Sequence, residues 1–141
     1  MNGPRRVALA LAFTTLAACA EEPRIEAGDA WIAEAPPGAQ VMAGYLRLDN
    51  RSGEPLRCAG VSGTDFGAAE IHRTVIEDGR SRMLRGQQIE IPAGSSAELA
   101  PGGLHLMLFR PQRELPAGAR TTLVLDCGER QAAIEFVVRP R

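Results

Sequence analysis

The 141-residue chain contains no lysine, because all sixteen of its basic residues are arginine. The absence of lysine excludes Schiff-base chemistry and a lysine nucleophile. The formal net charge is −1, so no basic excess favours a nucleic acid partner. Histidine occurs twice, and aromatic residues make up 4% of the chain. What the sequence does contain is 45% hydrophobic residues, enough for the core of a single globular domain.

The first eighteen residues have the character of an export signal. "MNGPRR" supplies positive charge, and "VALALAFTTLAA" is an apolar run that is short for a transmembrane helix. The run ends in "LAAC", which resembles the lipobox of bacterial lipoproteins and makes Cys19 the predicted lipidated residue. Cleavage as an ordinary secretory signal and twin-arginine export are the alternatives. We therefore expect an exported lipoprotein that contacts the membrane through its lipid anchor only.

Three cysteines are an odd number for an exported protein. If Cys19 carries the lipid, Cys58 and Cys127 remain as a pair in an oxidising compartment, where a disulfide is the expected state. Two buried free thiols are the alternative.

Turn sequences recur every eight to twelve residues along the rest of the chain, and the segments between them alternate polar and apolar residues. Examples are "GYLRLDN", "TTLVLD" and "AAIEFVV". No segment has helical periodicity, and this pattern predicts an all-β antiparallel sandwich or barrel. The expected organisation is a signal peptide at 1–18, a tether at 19–28, one domain at 29–138 and a short tail at 139–141.

The segment "AEIHRTVIEDGRSRML" predicts a β-hairpin, because Asp78-Gly79 suits a two-residue turn. In this register Thr74 lies opposite Met83, so His72 and Met83 become diagonal neighbours on one face. A three-residue loop with a bulge would break this relation.

A later segment, "GGLHLMLF", places leucines on one face of a strand and His105 and Met107 on the other. If this strand lies near the hairpin, two imidazoles and two thioethers come together, and this donor set selects Cu(I). Taken singly, each of the four residues is more simply explained by packing or a surface position.

The spacing of His72, Met83, His105 and Met107 resembles the copper-binding motif of the PCu(A)C family of periplasmic copper chaperones. The flanking text is similar as well, including "DAWIAEAPPGAQVMAGYLRLDN" and the turns "IPAG" and "PGGLH". The resemblance covers about residues 29–138. One departure is Arg73, where many members carry a methionine directly after the first histidine.

The resemblance implies a single cupredoxin-like or immunoglobulin-like Greek-key β-sandwich that binds one Cu(I) through these four residues. It also implies a non-enzymatic chaperone for cytochrome c oxidase assembly or periplasmic copper homeostasis, present as a membrane-anchored lipoprotein in the periplasm of a Gram-negative bacterium. The expected partner is a copper acceptor, either cytochrome c oxidase subunit II or a Sco-type copper protein.

Two other functions remain as alternatives. An electron-transfer cupredoxin needs a cysteine thiolate with two histidines, and the segment after Cys127 contains neither histidine nor methionine. A metal-free, lipid-anchored interaction module would use the same residues only for packing. Met42 is expected to pack in the core.

Overall fold

A computed structural model describes residues 25–140 as eleven β-strands, and that part of the chain contains no helix. The all-β class predicted from the sequence is confirmed. In chain order the strands are β1 (Ile25–Ala33), β2 (Val41–Asn50), β3 (Leu56–Cys58), β4 (Gly60–Ser62), β5 (Phe66–Glu77), β6 (Arg80–Leu84), β7 (Ile89–Ile91), β8 (Ser96–Leu99), β9 (Leu104–Pro111), β10 (Arg120–Asp126) and β11 (Gln131–Arg139).

None of the described residues belongs to a helix with the length and apolar character needed to cross a membrane.

Nine strands form one sheet in the order β4-β10-β11-β1-β2-β9-β5-β6, with β8 paired to β2, and β3 and β7 form a second sheet. All strand pairs are antiparallel except β1 with β11. The order is not sequential, since β9 lies between β2 and β5. β4 and β5 are distant in the sheet order and are nevertheless in contact, so the sheet closes around a core as a Greek-key sandwich.

The core follows from the alternation of side chains along each strand. Leu106 and Leu108 on β9 are completely buried, and Leu48 on β2 is completely buried as well. Each such side chain contributes about 1.5–3 kcal/mol when it is fully removed from water. Because successive residues point to opposite faces, the residues between these leucines point to the other side of the sheet.

The two ends of the domain differ from the sequence expectation. Residues 25–28 were expected in the tether, but they form the start of β1, where Ile25 pairs with Asn50. The segment, Ile-Glu-Ala-Gly, lacks clear alternation of polar and apolar residues, so its strand character comes from pairing with β2. At the other end, β11 includes Arg139, the first residue of the expected tail. The signal segment 1–18 and Cys19 lie outside the described residues.

The structure joins Cys58, at the end of β3, to Cys127, which follows β10, by a disulfide. Both cysteines are buried. The bond links the small sheet to the large one at the end of β10, the strand next to the edge strand β4.

Candidate metal centre

The pairing of β5 with β9 places the two histidines of the chain side by side. His72 lies directly opposite His105, and their ring centroids are 6.0 Å apart. In the same ladder Glu70 lies opposite Met107. Residues two apart on a strand share a face, so both histidines and Met107 lie on one face of the sheet.

The β5–β6 hairpin brings the fourth residue to this face. Asp78 and Gly79 form the turn with φ angles of 51° and 73°, the left-handed values that a two-residue turn of this type requires. Thr74 then pairs with Met83, as predicted, which makes Met83 a diagonal neighbour of His72. The hairpin register expected from the sequence is confirmed.

The four residues differ in how far they are exposed. His72 is 1% exposed and His105 is 5% exposed, although they lie on the face opposite the core leucines. Met107 is half-buried, and Met83 is 49% exposed. The arrangement is therefore a pair of buried imidazoles with one thioether at the solvent boundary.

Aromatic side chains surround the two imidazole rings. The Phe109 ring lies 6.1 Å from the His72 ring, and the Tyr45 ring lies 6.5 Å from the His105 ring, measured between centroids. Trp31 packs against Tyr45 in turn, at 4.6 Å. Burial raises the pKa of the Tyr45 hydroxyl above its ordinary value. These rings limit the access of water to the histidines.

Each histidine uses one ring nitrogen in a hydrogen bond within the protein. His72 Nε2 lies 2.7 Å from Glu70 Oε2, and His105 Nδ1 lies 3.0 Å from the carbonyl oxygen of Gly103. Hydrogen bonding to His72 lowers the pKa of Glu70, so this carboxyl group is ionised at neutral pH. A carboxylate and a carbonyl oxygen can only accept, so both ring nitrogens are the donors.

The remaining nitrogen of His72 has no partner. Nδ1 is buried and makes no hydrogen bond with any described residue. A buried polar atom without a partner costs free energy unless something else satisfies it. In a neutral imidazole whose Nε2 carries the proton, Nδ1 offers a lone pair. This atom is therefore suited to bind a metal ion, and its position on the shared face fits the site predicted from the sequence.

A metal bound here would require sulfur ligands. Within residues 25–140, no group of three or more His, Cys, Asp and Glu side chains could hold a metal ion. The two imidazoles would have to be supplemented by the thioethers of Met83 and Met107, and this mixed donor set favours Cu(I) over harder cations.

Two neighbouring residues lie away from this face. Met42 pairs with Leu108 and is 5% exposed, so it packs in the core, as expected. Arg73 is exposed and adjoins His72 in the strand, and by strand alternation it points to the opposite face. The position that departs from the family pattern therefore places no cation on the face of the histidines.

A surface pocket of about 780 Å³ lies elsewhere, between the segments 34–42 and 111–116. None of the four candidate ligands lines it.

Sequence reasoning did not identify Glu70 and the Gly103 carbonyl as partners of the histidines. The signal for Glu70 was present, because a residue two positions before His72 on a strand must share its face. The carbonyl of Gly103 carries no such signal, since any residue supplies one.

The fold is that of the β-sandwich domains described as PCuAC. A structure described as "Copper-bound PCuAC domain from PmoF2" superposes with a TM-score of 0.67 at 23% identity, covering 83% of this chain and 93% of that one. "Solution structure of apo-DR1885 from Deinococcus radiodurans" superposes with a TM-score of 0.64 at 22% identity, covering 99% of this chain and 97% of that one. The cupredoxin-like Greek-key fold implied by the sequence resemblance is confirmed.

The chain belongs to the LpqE-like family, whose model, described as "Putative lipoprotein LpqE-like", matches residues 25–138. "Putative lipoprotein Lxx21020" of Leifsonia xyli subsp. xyli (strain CTCB07) is 28% identical over 102 residues, which are 72% of this chain and 60% of that protein. "Uncharacterized protein RP573" of Rickettsia prowazekii (strain Madrid E) is 29% identical over 75 residues, which are 52% of this chain and 41% of that protein. The chain thus spans less than two thirds of these relatives.

Proposed function

We propose that the protein is a periplasmic copper chaperone that binds one Cu(I) through His72, Met83, His105 and Met107. The observation that carries this proposal is the direct pairing of the two histidines across β5 and β9, together with a buried Nδ1 of His72 that has no partner among residues 25–140. Met83 lies on the same face through the pairing of β6 with β5, and Met107 through the pairing of β9 with β5.

The donor set suits a cargo that must be bound and then released. Imidazole and thioether are neutral ligands, and the thioether needs no deprotonation to bind. Cu(I) accepts such soft and borderline donors, whereas zinc ordinarily takes thiolate, imidazole or carboxylate. The exposed Met83 gives an acceptor protein a ligand to displace first, while the buried histidines keep the ion from water.

The structural relatives support copper as the cargo. One is described as the "Copper-bound PCuAC domain from PmoF2", and another as "Solution structure of CuI-DR1885 from Deinococcus Radiodurans". The first shares 23% and the second 24% of its sequence with this chain. The transfer of copper binding, and of the monovalent state, to this chain is part of the proposal.

Location and partner complete the proposed role. We infer that the mature protein is anchored in a periplasm-facing membrane through a lipid on Cys19, in keeping with a family described as lipoproteins. Its acceptor would be cytochrome c oxidase subunit II or a Sco-type protein, in oxidase assembly or in periplasmic copper homeostasis. A Cys19→Ser variant should leave the membrane fraction and become soluble in the periplasm, whereas retention in the membrane would contradict the anchor.

The copper site is tested by anaerobic titration with Cu(I) in competition with a chromophoric chelator. The wild-type protein should bind one equivalent. Met83→Leu and Met107→Leu each remove a sulfur atom while conserving volume, and both should weaken binding by tenfold or more. The matched control is Met42→Leu, since Met42 lies on the core face and should leave the affinity unchanged.

The alternative functions give different outcomes in the same experiment. A metal-free interaction module would bind no stoichiometric Cu(I), and its Met→Leu variants would behave alike. An electron-transfer cupredoxin would turn intensely blue with Cu(II), because that colour requires a thiolate ligand. Cys58 and Cys127 are joined to each other in the structure and offer no thiolate. We therefore expect no blue colour.

A further inference from the structure

The two histidines of the site differ in which ring nitrogen the protein occupies. On His72 it is Nε2, which donates to the Glu70 carboxylate; on His105 it is Nδ1, which donates to the Gly103 carbonyl. A neutral imidazole has one donor and one acceptor nitrogen, so the atom left to bind a metal differs between the two rings. It is Nδ1 on His72 and Nε2 on His105.

We propose that Glu70 is a positioning residue that fixes the tautomer and orientation of His72, so that Nδ1 of His72 and Nε2 of His105 are the nitrogens presented to copper. This inference rests on the proposed function and names the ligand atoms of that same site. Glu70 is not itself a ligand, because its carboxylate is engaged with the far side of the ring.

The geometry around Glu70 supports this role. Its Oε2 atom lies 2.7 Å from His72 Nε2, a short distance typical of a hydrogen bond to a charged acceptor. Strand alternation puts Glu70 on the face of His72, and the ladder puts it opposite Met107. Glu70 is therefore a neighbour of a proposed nitrogen ligand along its own strand and of a proposed sulfur ligand across the ladder.

The burial of His72 makes the choice of nitrogen consequential. The side chain of His72 is 2% exposed, whereas that of Glu70 is 42% exposed. Water can thus reach the carboxylate but not the ring, and Nδ1 has no partner within the described part of the chain. Turning the ring over about χ2 would put Cε1 in the place of Nε2 and Cδ2 in the place of Nδ1, so the bond to Glu70 would be lost. The Glu70 contact therefore selects one of two orientations of a ring that has no other hydrogen bond within the described part of the chain.

Metal-binding histidines commonly donate their second ring nitrogen to a carboxylate or carbonyl oxygen, and loss of that partner typically costs about 10–100-fold in metal affinity. Here a carboxylate serves one ring and a main-chain carbonyl serves the other. The carboxylate is the partner that a substitution can remove, which makes the role of Glu70 testable.

The test begins with the copper-free, ¹⁵N-histidine-labelled mature protein. Long-range ¹H–¹⁵N correlation spectra at a pH where both rings are neutral distinguish protonated from unprotonated ring nitrogens. We expect a protonated Nε2 on His72 and a protonated Nδ1 on His105. On addition of Cu(I), the unprotonated Nδ1 of His72 and Nε2 of His105 should change their chemical shifts, while both protonated nitrogens keep their protons.

Variants then separate positioning from charge. Glu70→Ala should allow both tautomers of His72 and weaken Cu(I) binding by about 10–100-fold. Glu70→Gln keeps an acceptor oxygen at the same reach, so it should restore the wild-type tautomer and most of the affinity. Glu77→Ala removes a carboxylate from the same strand, one that pairs with Arg82, and is the matched control. It should leave both the tautomer and the affinity unchanged.

Any of the following results would overturn the inference. The first is a protonated Nδ1 on His72 in the wild-type protein. The second is a Glu70→Ala variant that keeps the wild-type tautomer and affinity, and the third is a Glu70→Gln variant as weak as Glu70→Ala, which would indicate a purely electrostatic effect. A wild-type protein with the expected tautomers that bound no Cu(I) would overturn the proposed function instead. Cu(I) bound through Nε2 of His72 would leave that function standing and reject the role of Glu70.

Discussion

Breaking the Cys58–Cys127 disulfide should destabilise the domain by an amount that follows from the length of the loop it closes. The two cysteines are separated by 69 residues. In the chain-entropy model, a cross-link over such a loop removes enough conformational freedom from the unfolded chain to contribute about 4 kcal/mol. The total stability of a domain is about 5–15 kcal/mol, so the loss would be a large share of it.

The assay is urea unfolding of the oxidised and the reduced wild-type protein, followed by tryptophan fluorescence and circular dichroism. With a slope of about 2 kcal/mol/M, the midpoint should fall by about 2 M on reduction. The reduced protein keeps both buried sulfur atoms, so the comparison isolates the cross-link from side-chain packing. A Cys58→Ala/Cys127→Ala variant adds the cost of lost packing and should be at least as unstable. A loss below about 1 kcal/mol on reduction would refute the reasoning from loop entropy.

Three further predictions concern the core, the hairpin and the response to acid. Leu106→Ala should lower the free energy of unfolding by about 2–5 kcal/mol, because the side chain is fully buried and leaves a cavity; a loss below 1 kcal/mol in urea unfolding would contradict its place in the core. Gly79→Ala should lower the free energy of unfolding by about 1–2 kcal/mol, because the residue has a φ of 73°. An added Cβ would meet only open space, so the experiment measures backbone strain alone. An unchanged free energy of unfolding would contradict the turn conformation. The pKa of Asp65 is lowered from 3.8 by hydrogen bonds from Arg113 and Thr121, so its contribution to stability is present above about pH 4 and is lost as the pH falls through the lowered value. In acid unfolding below pH 4, the stability of Asp65→Asn should therefore depend less on pH than that of the wild type. Parallel plots of stability against pH for the two proteins would contradict the contact of Asp65 with Arg113 and Thr121.

The hairpin could be predicted from the sequence down to its register, because the information is local. Asp78 and Gly79 both tolerate the left-handed conformation that the turn needs, and a turn of two residues fixes which residues lie opposite each other. Thr74 and Met83 therefore pair in the structure as the sequence indicated. The alternation of residues along β9 also allowed the sequence to predict which of its side chains lie on the core face and which lie on the opposite face.

The pairing of β5 with β9 could not be predicted in the same way. His72 and His105 belong to strands that no short turn connects, so their alignment depends on the order of strands in the whole sheet. Only the resemblance to a known family indicated that they meet. The tether was also predicted to extend to residue 28, whereas residues 25–28 become a strand through pairing with β2 rather than through their own pattern.

The register that brings the two histidines together is determined by the core and not by the histidines themselves. Ile71 and Leu106 lie opposite each other one position away from the His72–His105 pair, and both are buried in the core. A slip of β9 by one residue would expose Leu106 and Leu108 and turn His105 into the core, at a cost of several kcal/mol. The burial of apolar residues on one face thus holds the donor residues on the other face in register. Since this argument requires no metal, the copper-free protein should already have the paired histidines, and copper would bind to a site that folding has prepared.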